Sequence, residues 1–219
     1  MATKDEILTR LLKEENYVSG EELARQTGVS RAAVWKAIKS LKKSGYDIEG
    51  VTKCGYKLKQ NNSLVTAEGV KALLEKDIEV THFDTVDSTN TYCKRLLADG
   101  KQGEFLVTAA KQTAGRGRQG KSFYSPSETG IYFSLVIRPD TSLQNAVTAT
   151  TAAAVAVCKA IEKTTDLKPK IKWVNDVYLN GKKVCGILTE ATTDFESGTV
   201  DSVITVSYTH LTLPTKLEV

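Results

Sequence analysis

Histidine is nearly missing from this sequence. Only His82 and His210 occur in 219 residues, which leaves little with which to build a histidine-based zinc site or a catalytic triad. Cysteine is scarce and scattered: Cys54, Cys93, Cys158 and Cys185 form no C-x-x-C pair. That spacing argues against a metal ribbon or a disulfide framework and reads as reduced, mostly buried thiols of a cytoplasmic protein. No metal site is expected. No apolar run is long enough to span a bilayer, and the first residues, MATKDEILTR, lack the apolar stretch of a signal peptide. No membrane partner is expected. What remains is ordinary for a soluble globular chain, 41% hydrophobic and 26% charged, long enough for one or two domains with a real core.

Positive charge is unevenly spread. Residues 1–62 hold 12 Lys+Arg against 8 Asp+Glu, whereas residues 63–219 hold 18 of each. Residues 31–59 alone carry 8 basic and 2 acidic side chains. A basic module joined to a neutral one suggests a nucleic-acid-facing domain in front of a second domain. The local pattern agrees. Ile7, Leu8, Leu11 and Leu12 recur at helical spacing. Ser19 and Glu22 form a capping box, Leu23 and Ala24 face inward, and Gly28 ends a short second helix. Ser30 caps a third helix whose inner stripe is Ala33, Val34, Ala37, Ile38 and Leu41, with Gly45 after it. Two short helices joined by a glycine-containing turn are a helix-turn-helix. Its outward residues Ser30, Arg31, Ala32, Trp35, Lys36 and Lys39 are the candidate base readers. A hairpin from Tyr46 to Leu58, turning at Thr52–Gly55, forms a wing that offers Lys53 and Lys57 to phosphate. Residues 1–62 therefore read as a winged helix-turn-helix DNA-binding domain. A three-helix module that binds protein stays open as an alternative, as does a core role for Trp35.

Gln60–Ser63 is a polar linker, and residues 63–205 make the larger domain. Thr66 caps a helix with Val70, Leu73 and Leu74 on one face. A short strand, 82–86, leads to Asp87-Ser88-Thr89-Asn90, which opens a further helix. One polar residue suffices as the cap; the others are free to bind a polar ligand. Phe105–Ala109 is a buried strand that delivers Gln112 and the stretch KQTAGRGRQGKSFYSP, residues 111–126. There Gly115, Gly117 and Gly120 alternate with Arg116 and Arg118, and Lys121 follows. Glycine permits close backbone approach, successive N–H groups can cradle an anion, and two guanidinium forks suit phosphate or carboxylate. The stretch reads as a clamp for a multiply anionic ligand, a solvated basic loop being the plainer alternative. It also satisfies G-x-G-x-x-G, but no helix follows to complete a dinucleotide fingerprint, and no Val-Ala-Ile-Lys strand follows to complete a kinase. Gly130–Ile137 is a strand, and residues 145–163 form a helix with Val147, Ala154, Val155, Val157, Cys158 and Ile161 inside. Lys170–Leu179, the hairpin pair Asn180-Gly181 and the strand Val184–Glu190 complete the pattern. The fold class is α+β: a winged helix followed by a domain with a mixed, largely antiparallel sheet.

Asp87-Ser88-Thr89-Asn90, Gln112-Thr113-Ala114-Gly115-Arg116-Gly117-Arg118, Ser125-Pro126, Lys172-Trp173-x-Asn175-Asp176 and Lys183-x-x-Gly186-Ile187-Leu188, in this order, resemble the biotin–protein ligases. With the winged helix in front, the chain resembles the bifunctional ligase and biotin operon repressor. The resemblance implies that biotin and ATP, with Mg²⁺, react to biotinyl-5′-AMP and pyrophosphate, and that biotin then passes to a lysine of a biotin carboxyl carrier protein. It implies operator DNA as a second partner and a homodimer formed on ligand binding, with the adenylate as corepressor. By resemblance Ser88, Thr89, Asn90, Gln112, Arg116, Gly117, Arg118 and Lys183 bind biotin. Arg118, Lys121, Asn175 and Asp176 face the nucleotide, and Lys183 and Arg118 are catalytic. Read from the residues alone, Lys183 is an exposed hairpin lysine. A lipoate-type acyl-adenylating ligase, and a ligand-sensing repressor without turnover, are the alternatives. Two positions depart from the usual pattern: Val174 replaces a proline, and Phe123 stands where tryptophan is common. The resemblance fades after Thr205, so the catalytic domain reads as incomplete. Residues 206–219 read as a non-native tail, and the strand missing from the sheet is expected to leave an open edge.

Overall fold

A computed structural model describes residues 3–59, 65–127, 130–138, 143–193 and 200–210. The chain divides into two compact units, Met1–Asp77 and Ile78–Val219.

The first unit contains α1 (Thr3–Lys13), α2 (Gly20–Thr27), α3 (Arg31–Lys43), the antiparallel hairpin β1 (Ile48–Val51) and β2 (Gly55–Leu58), and α4 (Ala67–Leu73). The caps fall where the sequence puts them. Ser19 Oγ accepts from the Glu22 N–H at 3.0 Å, Ser30 Oγ from the Ala33 N–H at 3.2 Å, and Gly28 ends α2 with φ 67°. Ile7, Leu8, Leu11, Leu23, Val34, Ile38 and Leu41 form one buried core with Tyr46, Ile48 and Leu58 from the hairpin. At the wing's foot Gly55 (φ 112°) lets the chain run against Val18, since a Cβ there would sit 2.1 Å from the Val18 carbonyl oxygen.

The division falls after Asp77, not at the polar linker around residue 62. The reason is α4, which packs against α1. Gly69 leaves room for the Tyr46 ring edge, the Tyr46 hydroxyl meets the Thr66 hydroxyl, and Lys4 pairs with Glu68 at 3.0 Å. The inner face of this helix also differs from expectation. Ala72 is buried, while Leu73 is 66% exposed and Leu74 is exposed too. A seven-residue helix is too short for its apolar residues to define a face.

The second unit is a seven-stranded sheet in the order β3-β4-β5-β9-β8-β7-β6. The strands are β3 (Glu79–Phe83), β4 (Phe105–Ala109), β5 (Gly130–Ile137), β6 (Lys170–Lys172), β7 (Asp176–Leu179), β8 (Lys182–Thr193) and β9 (Val200–His210). β3 and β4 are parallel and every other pair is antiparallel, so the sheet is mixed and largely antiparallel as its hairpin signals indicate. The Asn180-Gly181 turn has both residues at positive φ (49° and 78°), which closes β7 onto β8. Helix α5 (Thr89–Ala98) covers the cluster of Cys93, Phe105, Val107, Tyr132, Val136, Ile204 and Val206. Helix α6 (Leu143–Thr164) sets Ala154, with Val157, Cys158 and Ile161, against Val177, Val184 and Ile187. Val155, expected inside, is 39% exposed, and Val147 lies outside the described side chains.

Residues 206–210, read from the sequence as the start of a tail, continue β9 in the middle of the sheet. β9 pairs with β5 on one side and β8 on the other, and Val206 and Ser207 are buried. The edge expected beside the missing strand is therefore closed, and the edge strands of this sheet are β3 and β6. The continuous buried run Ser202–Ser207, mixing Val203, Ile204 and Val206 with small hydroxyl residues, suits a central strand covered on both faces. Residues 211–219 lie outside the described residues.

Candidate ligand site and nucleic-acid face

In the first unit, α3 and the wing border a groove of about 590 Å³ lined by Arg31, Trp35, Lys53 and Tyr56 among others. Trp35 is 54% exposed, which rules out the core role left open from the sequence. Lys39 Nζ lies 5.1 Å from the Trp35 ring centre, so the indole face is covered by a cation. Ala32, Lys36 and Lys39 are exposed on the outer face of α3, and Lys53 sits at the wing's turn with φ 68°. Ser30 is the cap of α3, which engages its hydroxyl with the Ala33 N–H.

In the second unit the polar run at the start of α5 divides its labour. Asp87 holds Arg95 through two hydrogen bonds, 2.8 and 3.0 Å, and that guanidinium keeps the Asp87 carboxyl below its ordinary range. Ser88 caps the helix. Thr89 and Asn90 turn inward and are fully buried. Thr89 donates its N–H and its hydroxyl to Gln112 Oε1, at 2.9 and 3.2 Å. Gln112 Nε2 donates to Ser125 Oγ at 3.0 Å, and Ser125 Oγ donates to the Phe123 carbonyl. Ser134, from β5, donates to Thr89 Oγ1 at 2.8 Å. A directed chain of donors thus ties α5, β5 and the glycine-arginine loop together. Asn90 Nδ2 donates to Glu190 on β8 at 2.5 Å, and Lys94 Nζ donates to the same carboxylate at 2.9 Å.

The loop itself is folded on its own backbone. The Gly117 N–H donates to the Lys121 carbonyl at 2.7 Å, and the Phe123 N–H to the Gly115 carbonyl at 2.9 Å. A Cβ on Gly115 would sit 2.5 Å from the Phe123 carbonyl oxygen and 2.7 Å from Ser125 Oγ. Close packing within the loop therefore already requires that glycine. A short 3-10 turn, Arg118–Gly120, follows, and not the helix a dinucleotide site needs.

Beside this loop is a cavity of about 400 Å³ whose walls include Arg118, Lys121, Phe123, Asn175, Asp176 and Lys183. Arg118 Nη1 donates to Asn175 Oδ1 at 2.9 Å, Asn175 Nδ2 to Asp176 Oδ1 at 2.9 Å, and Lys183 Nζ lies 2.7 Å from Asp176 Oδ1. Gly186, three residues along β8 past a bulge against β7, leaves the space that Lys183 fills: a Cβ there would come 3.1 Å from Lys183 Cε. Three cations against one carboxylate give the cavity a positive field that favours an anion. Lys183 is a half-buried partner of Asp176, not a free hairpin lysine. The structure thus gathers Gly117, Arg118, Lys121, Asn175, Asp176 and Lys183 around one cavity. Thr89 and Gln112 share one buried network next to the loop, while the buried Ser88 and Asn90 bond elsewhere, to the Thr91 N–H and to Glu190. Arg116 is exposed, and its charge reaches Glu190. The sequence reading missed Ser134, Lys94 and Glu190. Glu190, an acid closing an otherwise apolar strand, was the one visible signal among them.

Residues 82–207 match the family model described as the Biotin/lipoate A/B protein ligase family, and residues 3–57 match a model of an HTH domain. The chain belongs to the biotin/lipoate A/B protein ligase family. It is similar to the bifunctional ligase/repressor BirA of Bacillus subtilis, 38% identical over 177 residues, which are 80% of this chain and 54% of that protein. It is also similar to the bifunctional ligase/repressor BirA of Escherichia coli, 32% identical over 185 residues, 84% of this chain and 57% of that protein. Among solved structures, the biotin protein ligase of Aquifex aeolicus in complex with biotin and ATP aligns with a TM-score of 0.52 at 28% identity, covering 64% of this chain and 55% of that one. The chain spans about half the length of the curated relatives it matches. The motifs that carry the resemblance in the sequence all fall within the matched region of the family. Among the described residues no helix is long and apolar enough to cross a membrane.

Proposed function

We propose that this chain is an ATP-dependent biotin–protein ligase and a DNA-binding repressor, with biotinyl-5′-AMP as both intermediate and corepressor. The observation that carries the reading is the convergence of Arg118, Asn175, Asp176 and Lys183 on one cation-rich cavity, beside the Thr89–Gln112 network, in a chain that also presents a basic α3 and wing. In the first step a biotin carboxylate oxygen attacks the α-phosphorus of ATP. The bond to the β-phosphate bridging oxygen breaks and pyrophosphate leaves. Carboxylate and triphosphate repel each other, and Arg118, Lys121 and Lys183 offset that repulsion. In the second step the amine of an acceptor lysine attacks the acyl carbon, loses a proton and displaces AMP. The acceptor is a biotin carboxyl carrier protein.

Ser88, Thr89, Asn90, Gln112, Arg116, Gly117, Arg118 and Lys183 bind biotin in this reading, and Arg118, Lys121, Asn175 and Asp176 flank the nucleotide. Among the described residues no group of three or more His, Cys, Asp or Glu side chains could hold a metal, and Asp176 Oδ1 is already shared by Asn175 and Lys183. A dedicated Mg²⁺ cage does not fit, so the ion accompanies the nucleotide on phosphate oxygens and water, and no step is routed through it. Ser30, Arg31, Ala32, Trp35, Lys36, Lys39 and Lys53 face operator DNA, the ligand-bound protein is a homodimer, and its place is the cytoplasm. Thermal unfolding with biotin, with ATP and Mg²⁺, with both, and with lipoate for biotin tests the enzyme reading. The expected result is a shift with biotin plus ATP that exceeds either alone. A shift with lipoate only would make it a lipoate-type ligase, and a shift with biotin that ATP does not augment would make it a sensing repressor without turnover.

A further inference from the structure

We propose that Trp35 is a specificity-determining residue of the DNA face: from the outer side of α3 it reads the 5-methyl group of a thymine in the major groove. This role rests on the DNA-binding half of the reading above and adds to it the base that is read. Arg31, Trp35 and Lys39 recur every fourth residue and so form one exposed line along α3, while Val34, Ile38 and Leu41 face the core. Trp35 is 54% exposed, in a stretch with 8 basic against 2 acidic side chains over residues 31–59. Lys39 Nζ stands 5.1 Å from the ring centre and covers one face of the indole. The ring also lines the groove of about 590 Å³ between α3 and the wing. Val51, 38% exposed, faces the same groove from β1. Arg31 and Lys53 line it too, against Glu21. The groove thus has two apolar side chains, from two elements, inside a mainly cationic frame, and a DNA duplex is the partner that matches it.

Phosphate is served by Arg31, Lys36 and Lys53 without an indole. The base edges in the major groove are hydrogen-bonding groups, with one apolar exception, the C5-methyl of thymine. An indole matches thymine twice. Its carbon surface covers the methyl group, and its Nε1–H, a donor that cannot accept, suits the neighbouring O4 acceptor. Cytosine carries an N4 donor in that place and no methyl, so the indole meets donor with donor and covers nothing. Deoxyribose is the other apolar surface of DNA, but it is the same at every nucleotide and carries no sequence.

The full chain, with biotin, ATP and Mg²⁺ present, is used to select from a pool of randomised DNA duplexes. The selected duplex is then titrated by fluorescence anisotropy with each thymine exchanged in turn for uracil, which lacks only the methyl group. The wild type is expected to lose about fourfold in affinity at one position, the worth of one buried methyl group. Trp35→Ala is expected to bind the thymine and uracil duplexes equally at that position and to keep the wild-type response at the others. A wild-type ratio in this variant overturns the proposal. So does a loss of affinity that is the same for every duplex, which would make Trp35 a sugar or phosphate contact. If Trp35→Ala does not fold, Trp35→Gln, which has no apolar ring, decides by the same ratio. A wild type that enriches no sequence, or that takes uracil at every thymine without loss, defeats the proposal and leaves the DNA-binding reading standing. A wild type that binds no duplex ends both, and the exposed indole then serves a protein partner.

Discussion

Among the described residues the Arg118 side chain makes one hydrogen bond, to Asn175, and it belongs to a loop held by its own backbone. Its guanidinium is thus free to serve a ligand without supporting the fold. Arg118→Gly should leave the unfolding temperature almost unchanged and speed release of the adenylate roughly ten- to hundredfold, the loss of one charge-assisted contact of ~1.5–3 kcal/mol. A release rate equal to wild type would remove Arg118 from the site. Glu190 behaves differently, because it ties α5 to β8. Its carboxyl is held below its ordinary value of 4.5, since the bonds from Lys94 and Asn90 and the charge of Arg116 outweigh desolvation. A depressed acid contributes stability that is fully present above the ordinary value and is lost as pH falls through the folded value. The stability gap between wild type and Glu190→Gln, read from urea unfolding, should therefore be constant from pH 7 down to about 5 and close below the ordinary value. The gap is small, because both Glu190 and Lys94 are more than a third exposed and water screens the pair. By contrast Cys93, buried beside Ser134 and pushed up to about 12, stays a neutral thiol across this range.

Helix α3 and the wing carry the net positive charge of the first unit, 8 basic against 2 acidic side chains over residues 31–59. Lys36 and Lys39 are exposed and make no contribution to the core of Val34, Ile38 and Leu41. Lys36→Ala and Lys39→Ala should each lower operator affinity and reduce the salt dependence by about one counterion, while adenylate formation stays at the wild-type rate. Equal loss of both activities would contradict the assignment. Two glycines in this unit separate strain from crowding. Gly28 has φ 67° with nothing within 4 Å of an added Cβ, so Gly28→Ala should cost about 1 kcal/mol. Gly55 has φ 112° and the Val18 carbonyl in the way, so Gly55→Ala should cost about 3 kcal/mol or more and loosen the wing. Chemical denaturation of the two variants compares them directly.

Each compact unit has its own described core: Ile7, Leu8, Leu23 and their neighbours in Met1–Asp77, the clusters around Tyr132 and around Val177 in Ile78–Val219. A core closed within 77 residues, with three capped helices, is expected to fold alone. The fragment of residues 1–77 should unfold cooperatively by circular dichroism. A fragment ending at residue 62 should be less stable, because it lacks α4 and the contacts of Thr66 and Glu68 with Tyr46 and Lys4. In the whole chain, biotin with ATP should raise only the transition that belongs to residues 78–219. A single transition that moves as one would show the two units to be coupled.

Most of the winged helix could be read from the sequence because its signals are local. Ser19, Gly28 and Ser30 act within three or four residues, and the Asn180-Gly181 turn acts within two. The order of the motifs 87–90, 111–118, 172–176 and 183–188 was likewise enough to indicate the family and an α+β domain with a mixed sheet. Folding decided what depends on distance along the chain. Asn90 meets Glu190 across 100 residues and Ser134 meets Thr89 across 45, and no periodicity records such pairs. Tertiary packing also moved α4 into the first unit and carried residues 206–210 into the centre of the sheet, where both neighbouring strands satisfy β9's backbone groups. Local propensity states what a segment can form; the free energy of burying its faces and pairing its polar groups states which neighbour it forms it against.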